Sequence, residues 1–110
     1  MTVGELLKTT ELKALSLPCP NREIHGVYVG DLLSWVMGRA KADNAWITIM
    51  SNINTLAVAT LTDTACVILA ENVALEPEIL KAAGEKEINI LSTPLTAYQT
   101  AVMLSRIEGL

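Results

Sequence analysis

The sequence predicts one three-layer α/β domain spanning residues 1–110, with a mostly parallel sheet of four to five strands flanked by helices. Three observations carry that reading. From Trp46 onward, short strand-like runs alternate with helical patterns across brief polar turns, which favours parallel strands joined by right-handed crossovers. The runs at residues 46–50 and 65–70 show no solvent face, as expected of strands covered on both sides. Hydrophobic residues make up 51% of the chain and charged ones 18%, with no Phe, so the core must be built from Val, Ile, Leu and Ala. A chain of this length can bury such a core without disulfides or metals.

Taken in order, Thr2 and Glu5 form a capping box that opens a short helix to about Thr9. Residues 12–17 read as a short strand, closed by Pro18-Cys19-Pro20-Asn21, where two prolines set a turn. Residues 23–29 alternate as a strand, with Glu23, His25, Val27 and Val29 on one face and Ile24, Gly26 and Tyr28 on the other. Gly30-Asp31 breaks that strand and caps a helix from Leu32 to about Lys41. A buried strand at 46–50 follows, then a helix from Ile53 to about Thr62. The most apolar strand, 65–70, is expected at the centre of the sheet. Glu76-Pro77-Glu78 starts a helix with proline in its first turn and carboxylates near its positive end. Residues 88–91 form the next strand, and Ser92-Thr93-Pro94 caps the last helix.

The helix at 32–41 carries more apolar surface than one sheet face can cover. Only Asp31, Ser34, Gly38 and Lys41 form a non-apolar stripe, against a usual apolar arc of little more than a third of the girth. Two coverings compete. The N-terminal helix and loop can close over the surplus, or Leu32, Leu33, Trp35, Val36 and Met37 can meet a second copy of the chain. Trp and Met are enriched at such interfaces, and the expectation is a homodimer.

Net charge is −4, and the densest cationic spot is Arg39-Ala40-Lys41, so nucleic acid is not expected as a partner. No apolar run reaches the roughly 18 residues of a membrane span. The N-terminus lacks a basic stretch followed by an apolar one, so no signal peptide is expected. Cys19 and Cys66 are the only cysteines, far apart and in unlike surroundings, which reads as a reduced, cytoplasmic protein. Neither a phosphate loop nor a G-x-G-x-x-G turn is present. His25 is the sole imidazole, too little for a zinc site; it is the only base a cysteine nucleophile could use, so a Cys19–His25 pair is possible in space, with coincidence the favoured reading. No metal, cofactor or catalytic residue is expected.

Ligands of open α/β sheets sit beyond the carboxyl ends of the strands, near helix N-termini. Three such ends offer polar groups: Thr48 with Ser51, Asn52, Asn54 and Thr55; Glu71; and Ser92 with Thr93. The first is the densest, and is suited to a small anion or an amide-bearing ligand. The same residue types also cap helices for structural reasons alone.

Four stretches, TVGELLKTTELKALS, EIHGVYVGDLLSWVMGRA, AWITIMSNINTLAVATLTDTACVILAEN and INILSTPLTAYQTAVML, resemble the DRTGG-domain family over nearly the whole chain. GVYVGDLLSWVMGRA is the most specific of them. The resemblance implies a regulatory module of the kind found alone or appended to CBS-domain pyrophosphatases and phosphotransacetylase-type enzymes. It also implies similarity to the N-terminal, non-catalytic domain of HPr serine kinase/phosphorylase. The family is named for an Asp-Arg-Thr stretch after one strand and a Gly-Gly pair after the next. The corresponding places here are Ser51-Asn52-Ile53 and Ala70-Glu71, and neither signature is retained. The resemblance implies a non-catalytic regulatory module; with the apolar surplus of the 32–41 helix and the polar strand ends, the expectation is a module that dimerises and takes a small anionic or nucleotide-like molecule at the strand ends. A purely structural dimerisation partner of a cytoplasmic enzyme or signalling protein is the alternative, and a small kinase or transferase a lesser one.

Overall fold

Alternate side chains of the inner strands feed two separate cores, and helices close each of them. A computed structural model describes residues 1–110. Its elements run α1 (Val3–Thr9), β1 (Lys13–Ser16), β2 (Val27–Val29), α2 (Leu33–Arg39), β3 (Ala45–Thr48), α3 (Ile53–Thr62), β4 (Cys66–Leu69), α4 (Pro77–Glu85), β5 (Ile90–Ser92) and α5 (Ala97–Ser105). One five-stranded sheet has the order β1-β5-β4-β3-β2. β2, β3, β4 and β5 are parallel, while β1 joins β5 antiparallel. The fold class, the parallel core and the central place of residues 65–70 are as the sequence predicts.

Ala45, Ile47, Cys66, Ile68 and Leu91 face one core with Val3 and Leu6 of α1 and Leu104 of α5. Trp46, Val67, Leu69 and Ile90 face the other with Val36 of α2, Leu56 and Val58 of α3 and Ala83 of α4. Each of these large side chains is fully or nearly fully buried and contributes roughly 1.5–3 kcal/mol relative to exposure. Burial pushes the Cys66 thiol up to about 12 from its usual 9.0, so it is inert as a nucleophile near neutrality.

Polar side chains pin the end of the sheet where the parallel strands begin. Asn89 is buried just before β5. Its Nδ2 donates to Cys19 O at 2.7 Å and Ala65 O at 3.1 Å, and its Oδ1 accepts from Cys19 N at 2.9 Å. Asn44, just before β3, accepts from Lys41 N at 2.9 Å and donates to His25 O at 2.8 Å. Arg22 donates to Asp43 Oδ1 and Asp63 O and pairs with the Asp63 carboxylate. Its partial burial works against the charge, but the two aspartates outweigh it and raise the guanidinium above its ordinary value.

Several local expectations change. The strand expected over 23–29 narrows to Val27–Val29, because Gly26 takes φ +81° and breaks the alternation. Ile24 and Val27, predicted on opposite faces, consequently pack into the same core. Asp31 does not cap α2, whose N-cap is Leu32 with no side-chain bond. Its carboxylate instead accepts from Thr48 Oγ1 at 2.9 Å and Ile49 N at 3.0 Å, tying the end of β2 to the end of β3. The last helix is capped by Thr96 with Gln99, not by residues 92–94, because Thr93 N still donates to Leu69 O in the sheet. The capping box of Thr2 and Glu5 forms as predicted, and the Thr2 amide holds the Glu5 carboxyl below its usual range.

Asn89→Ala leaves the Cys19 N–H without its partner and removes the Asn89 bonds to the carbonyls of Cys19 and Ala65, of which the Cys19 carbonyl keeps the Arg22 amide at 3.2 Å. The expected cost is roughly 2–4 kcal/mol, read as a lower midpoint in urea. Glu71 and Asn72 both take left-handed φ, 58° and 56°, a conformation that costs a residue with a Cβ about 1 kcal/mol. Exposed Glu71→Gly is expected to raise the same midpoint by roughly 0.5–1 kcal/mol equivalent.

Candidate functional site

The chain leaves β2, β3 and β4 for α2, α3 and α4 on one face of the sheet, but leaves β5 for α5 on the other. The connections therefore part between β4 and β5, where such sheets open a crevice at their carboxyl ends. Here the gap is closed by backbone. Glu71 N donates to Leu95 O at 2.8 Å and Asn72 N to Thr93 O at 2.9 Å, sewing the two loops together. The paired left-handed residues Glu71 and Asn72 make that turn possible, one position beyond the start of the place compared with the family's Gly-Gly pair. Surface for a ligand lies to either side of this seam.

On the α3 side, the sequence-predicted polar residues divide into two groups. Thr48 and Thr55 are buried. The Thr48 hydroxyl is bonded to Asp31 and accepts from Met50 N, and the Thr55 hydroxyl donates to Met50 O at 3.0 Å. Both point inward and hold the turn, so neither is free to touch a ligand. Asn52 is the N-cap of α3, with Oδ1 accepting from Asn54 N at 2.9 Å. Ser51 and Asn52 do border an open depression with Ile53, Ala74, Glu76, Glu78 and Ile79, of about 670 Å³. Two carboxylates on its far wall make it unfavourable for an anion.

On the β5 side, Thr93 is buried at the end of the strand and lines a larger cavity of about 850 Å³. Thr9 to Lys13, from the end of α1 into β1, form one wall; Pro94, Leu95, Met103 and Ile107 form the other. Ser92 lies outside it and borders a smaller hollow near Asn72 and Leu75. Thr93 was singled out from the sequence, but Leu12, Lys13, Met103 and Ile107 were not. Their meeting depends on β1 joining β5 antiparallel, which no local pattern encodes.

The helix predicted to carry an interface is α2. Val36 is fully buried in the core and Leu33 half-buried against it, so Val36 cannot face a partner. Leu32, Trp35 and Met37 remain 60%, 54% and 51% exposed. At about 100° per residue Trp35 and Met37 stand roughly 160° apart, on opposite flanks of the buried stripe. The Arg39 guanidinium lies 3.6 Å over the Trp35 ring. α1 does not cover this surplus, because it packs into the core on the other face of the sheet. Beside α2, Val29 is exposed on β2, an edge strand with no neighbour on its outer side. Cys19 and His25 are not organised as nucleophile and base: the Cys19 thiol lies 3.7 Å from Glu87 O, and the backbone beside each residue is held by other loops.

No helix is long and apolar enough to cross a membrane. None of the curated proteins matches the chain. Among solved structures, the fold is similar to the CBS and DRTGG domains of the regulatory region of Clostridium perfringens pyrophosphatase, crystallised with the activator diadenosine tetraphosphate. The TM-score is 0.69 at 13% identity, covering 94% of this chain and 45% of that one. This chain thus spans less than half of the length of that regulatory region. The model of the DRTGG domain family matches residues 21–107, from the loop before β2 to the end of α5, with α1 and β1 lying ahead of the match in the same fold. The chain belongs to the DRTGG domain family.

Proposed function

We propose that this chain is a non-catalytic regulatory module that pairs with a second copy through the exposed side of α2 and binds a small ligand beyond the carboxyl ends of its strands, in the cytoplasm. Family membership supports the regulatory role. The pyrophosphatase region with the same fold is a regulatory one crystallised with a nucleotide activator, which makes nucleotides the first class of ligand to test.

The observation that carries self-association is the exposure of Trp35 and Met37 on a helix of seven residues and of Leu32 at its N-cap. Isolated exposed apolar residues are ordinary, but Leu32 and Trp35 share one flank of α2 near an unpaired strand edge that also exposes Val29, the kind of surface that association covers. Trp35, braced by Arg39, is the natural anchor, since Trp and Arg dominate the energetics of interfaces. A purely structural pairing module shares this surface but has no use for a ligand.

Sedimentation equilibrium at micromolar concentration is expected to give the mass of a dimer for wild type and of a monomer for Trp35→Glu. A monomeric wild type removes the association. In thermal unfolding, a panel of nucleotides, diadenosine tetraphosphate, phosphorylated metabolites and small carboxylates is expected to contain at least one compound that raises Tm with concentration. The gain corresponds to about 2.7 kcal/mol at a hundredfold excess over Kd. A panel with no such member leaves only the structural pairing role.

A further inference from the structure

We propose that a second copy of this chain adds to the sheet at β2, the β2 strands of the copies lying antiparallel about a dyad at Tyr28 and forming one continuous sheet. The proposal rests on the self-association reading above and assigns it a strand, a register and a direction.

The backbone of β2 supplies the bonds. Ala45 N donates to Gly26 O at 3.0 Å and Gly30 N to Ile47 O at 3.2 Å, so the Gly26 carbonyl and the Gly30 amide turn toward β3, with the peptide groups of Tyr28 between them. By the alternation of a strand, the N–H and C=O of Val27 and Val29 point the other way, where the sheet ends. No other segment of the chain bonds to them. An antiparallel copy centred on Tyr28 sets Val27 of one chain against Val29 of the other, and such pairs exchange both N–H···O bonds. The free groups are thus complementary to themselves, and a second β2 satisfies all of them. Gly26 and Gly30 lie equally spaced about Tyr28, so they meet across the dyad and no side chain holds the backbones apart.

The edges of the sheet differ. At β1 the register shifts between Ala14 and Ser16, and the strand opens with exposed Lys13. An irregular register and a lysine are common means of keeping an edge from pairing. β2 has neither. It reads Val-Tyr-Val, a run of strong strand preference, with Val29 47% exposed.

Charge favours the same partner. α2 links the parallel strands β2 and β3 and so runs back against them, from Asp31 ahead of its start to Arg39 at its end and Lys41 just beyond. These three side chains are exposed and form no ion pair within the chain. A dyad perpendicular to the sheet keeps both α2 helices on one face and reverses one against the other. The acidic start of each then stands toward the basic end of its counterpart, a complementary arrangement that fixes orientation.

Sedimentation equilibrium of the wild-type chain, with amide hydrogen exchange read residue by residue by mass spectrometry above and below the dissociation constant, tests this. The expected result is a dimer in which the Val27 and Val29 amides exchange roughly tenfold or more slowly than in the monomer. Val29→Pro removes an N–H that bonds to nothing within the chain, and is expected to weaken the dimer roughly tenfold or more with unchanged circular dichroism of the monomer. Where that variant does not fold, exchange in the wild type decides alone. A dimer whose Val27 and Val29 amides exchange as in the monomer overturns the strand pairing and leaves association through α2 standing. Slowing confined to Lys13–Ser16 places the junction at β1 and overturns it as well. A folded Val29→Pro that dimerises with unchanged affinity overturns the register, and a wild type that stays monomeric removes the pairing and the self-association together.

Discussion

The bonds of Asn89 hold the fold to one arrangement. A single buried amide satisfies both backbone groups of Cys19 and the carbonyl of Ala65. It thereby fixes the loop after β1 against the entrances of β4 and β5. Left unpaired, the Cys19 N–H would carry the desolvation penalty of a polar group shielded from water. Asn44 does the same for β3 and the segment before β2, and Arg22 ties the turns at Asp43 and Asp63 together. The starting edge of the parallel strands is thus closed by specific, mutually dependent polar contacts.

That closure leaves the opposite edge for function, but not at its middle. The parting of connections between β4 and β5 would ordinarily open a crevice, and here two backbone hydrogen bonds shut it. Space remains at the two flanks of the seam, one bordered by α3 and α4 and the other by α1, β1 and α5. They differ in lining: Glu76 and Glu78 make the first acidic, whereas Leu12, Leu95, Met103 and Ile107 give the second apolar walls.

The exposed side of α2 lies near the β2 edge of the sheet, and the larger cavity near the β1 edge. α5 joins the two regions: it packs against β2 and β3 and lines the cavity through Met103. A ligand that altered association would have to favour one of two arrangements of that helix, because coupling requires a differential interaction with two states. This is the physical content that a regulatory role would have in so small a domain.

By itself the sequence determined the layers and the order of elements. Doubly buried strands must be uniformly apolar, as in residues 65–70, and helix starts at Thr2, Asn52 and Pro77 are set by local chemistry that does not wait for the fold. It also marked α2 as too apolar for one sheet face. Only the tertiary structure decided what each polar residue does. Asp31, Thr48 and Thr55 look like a cap and a ligand-facing cluster in sequence, yet they bond one another and nearby backbone, because β2 and β3 end side by side. Asn89 looked like an ordinary strand residue, and its role depends on Cys19, 70 positions away. Val36 is core and Trp35 is surface through the rotation of a helix whose packing the sequence does not specify. Leu12, Thr93 and Met103 share a cavity because an antiparallel edge strand brings residues from both ends of the chain together. Local patterns encode burial and capping, while partnership across the sheet is a property of the assembled fold.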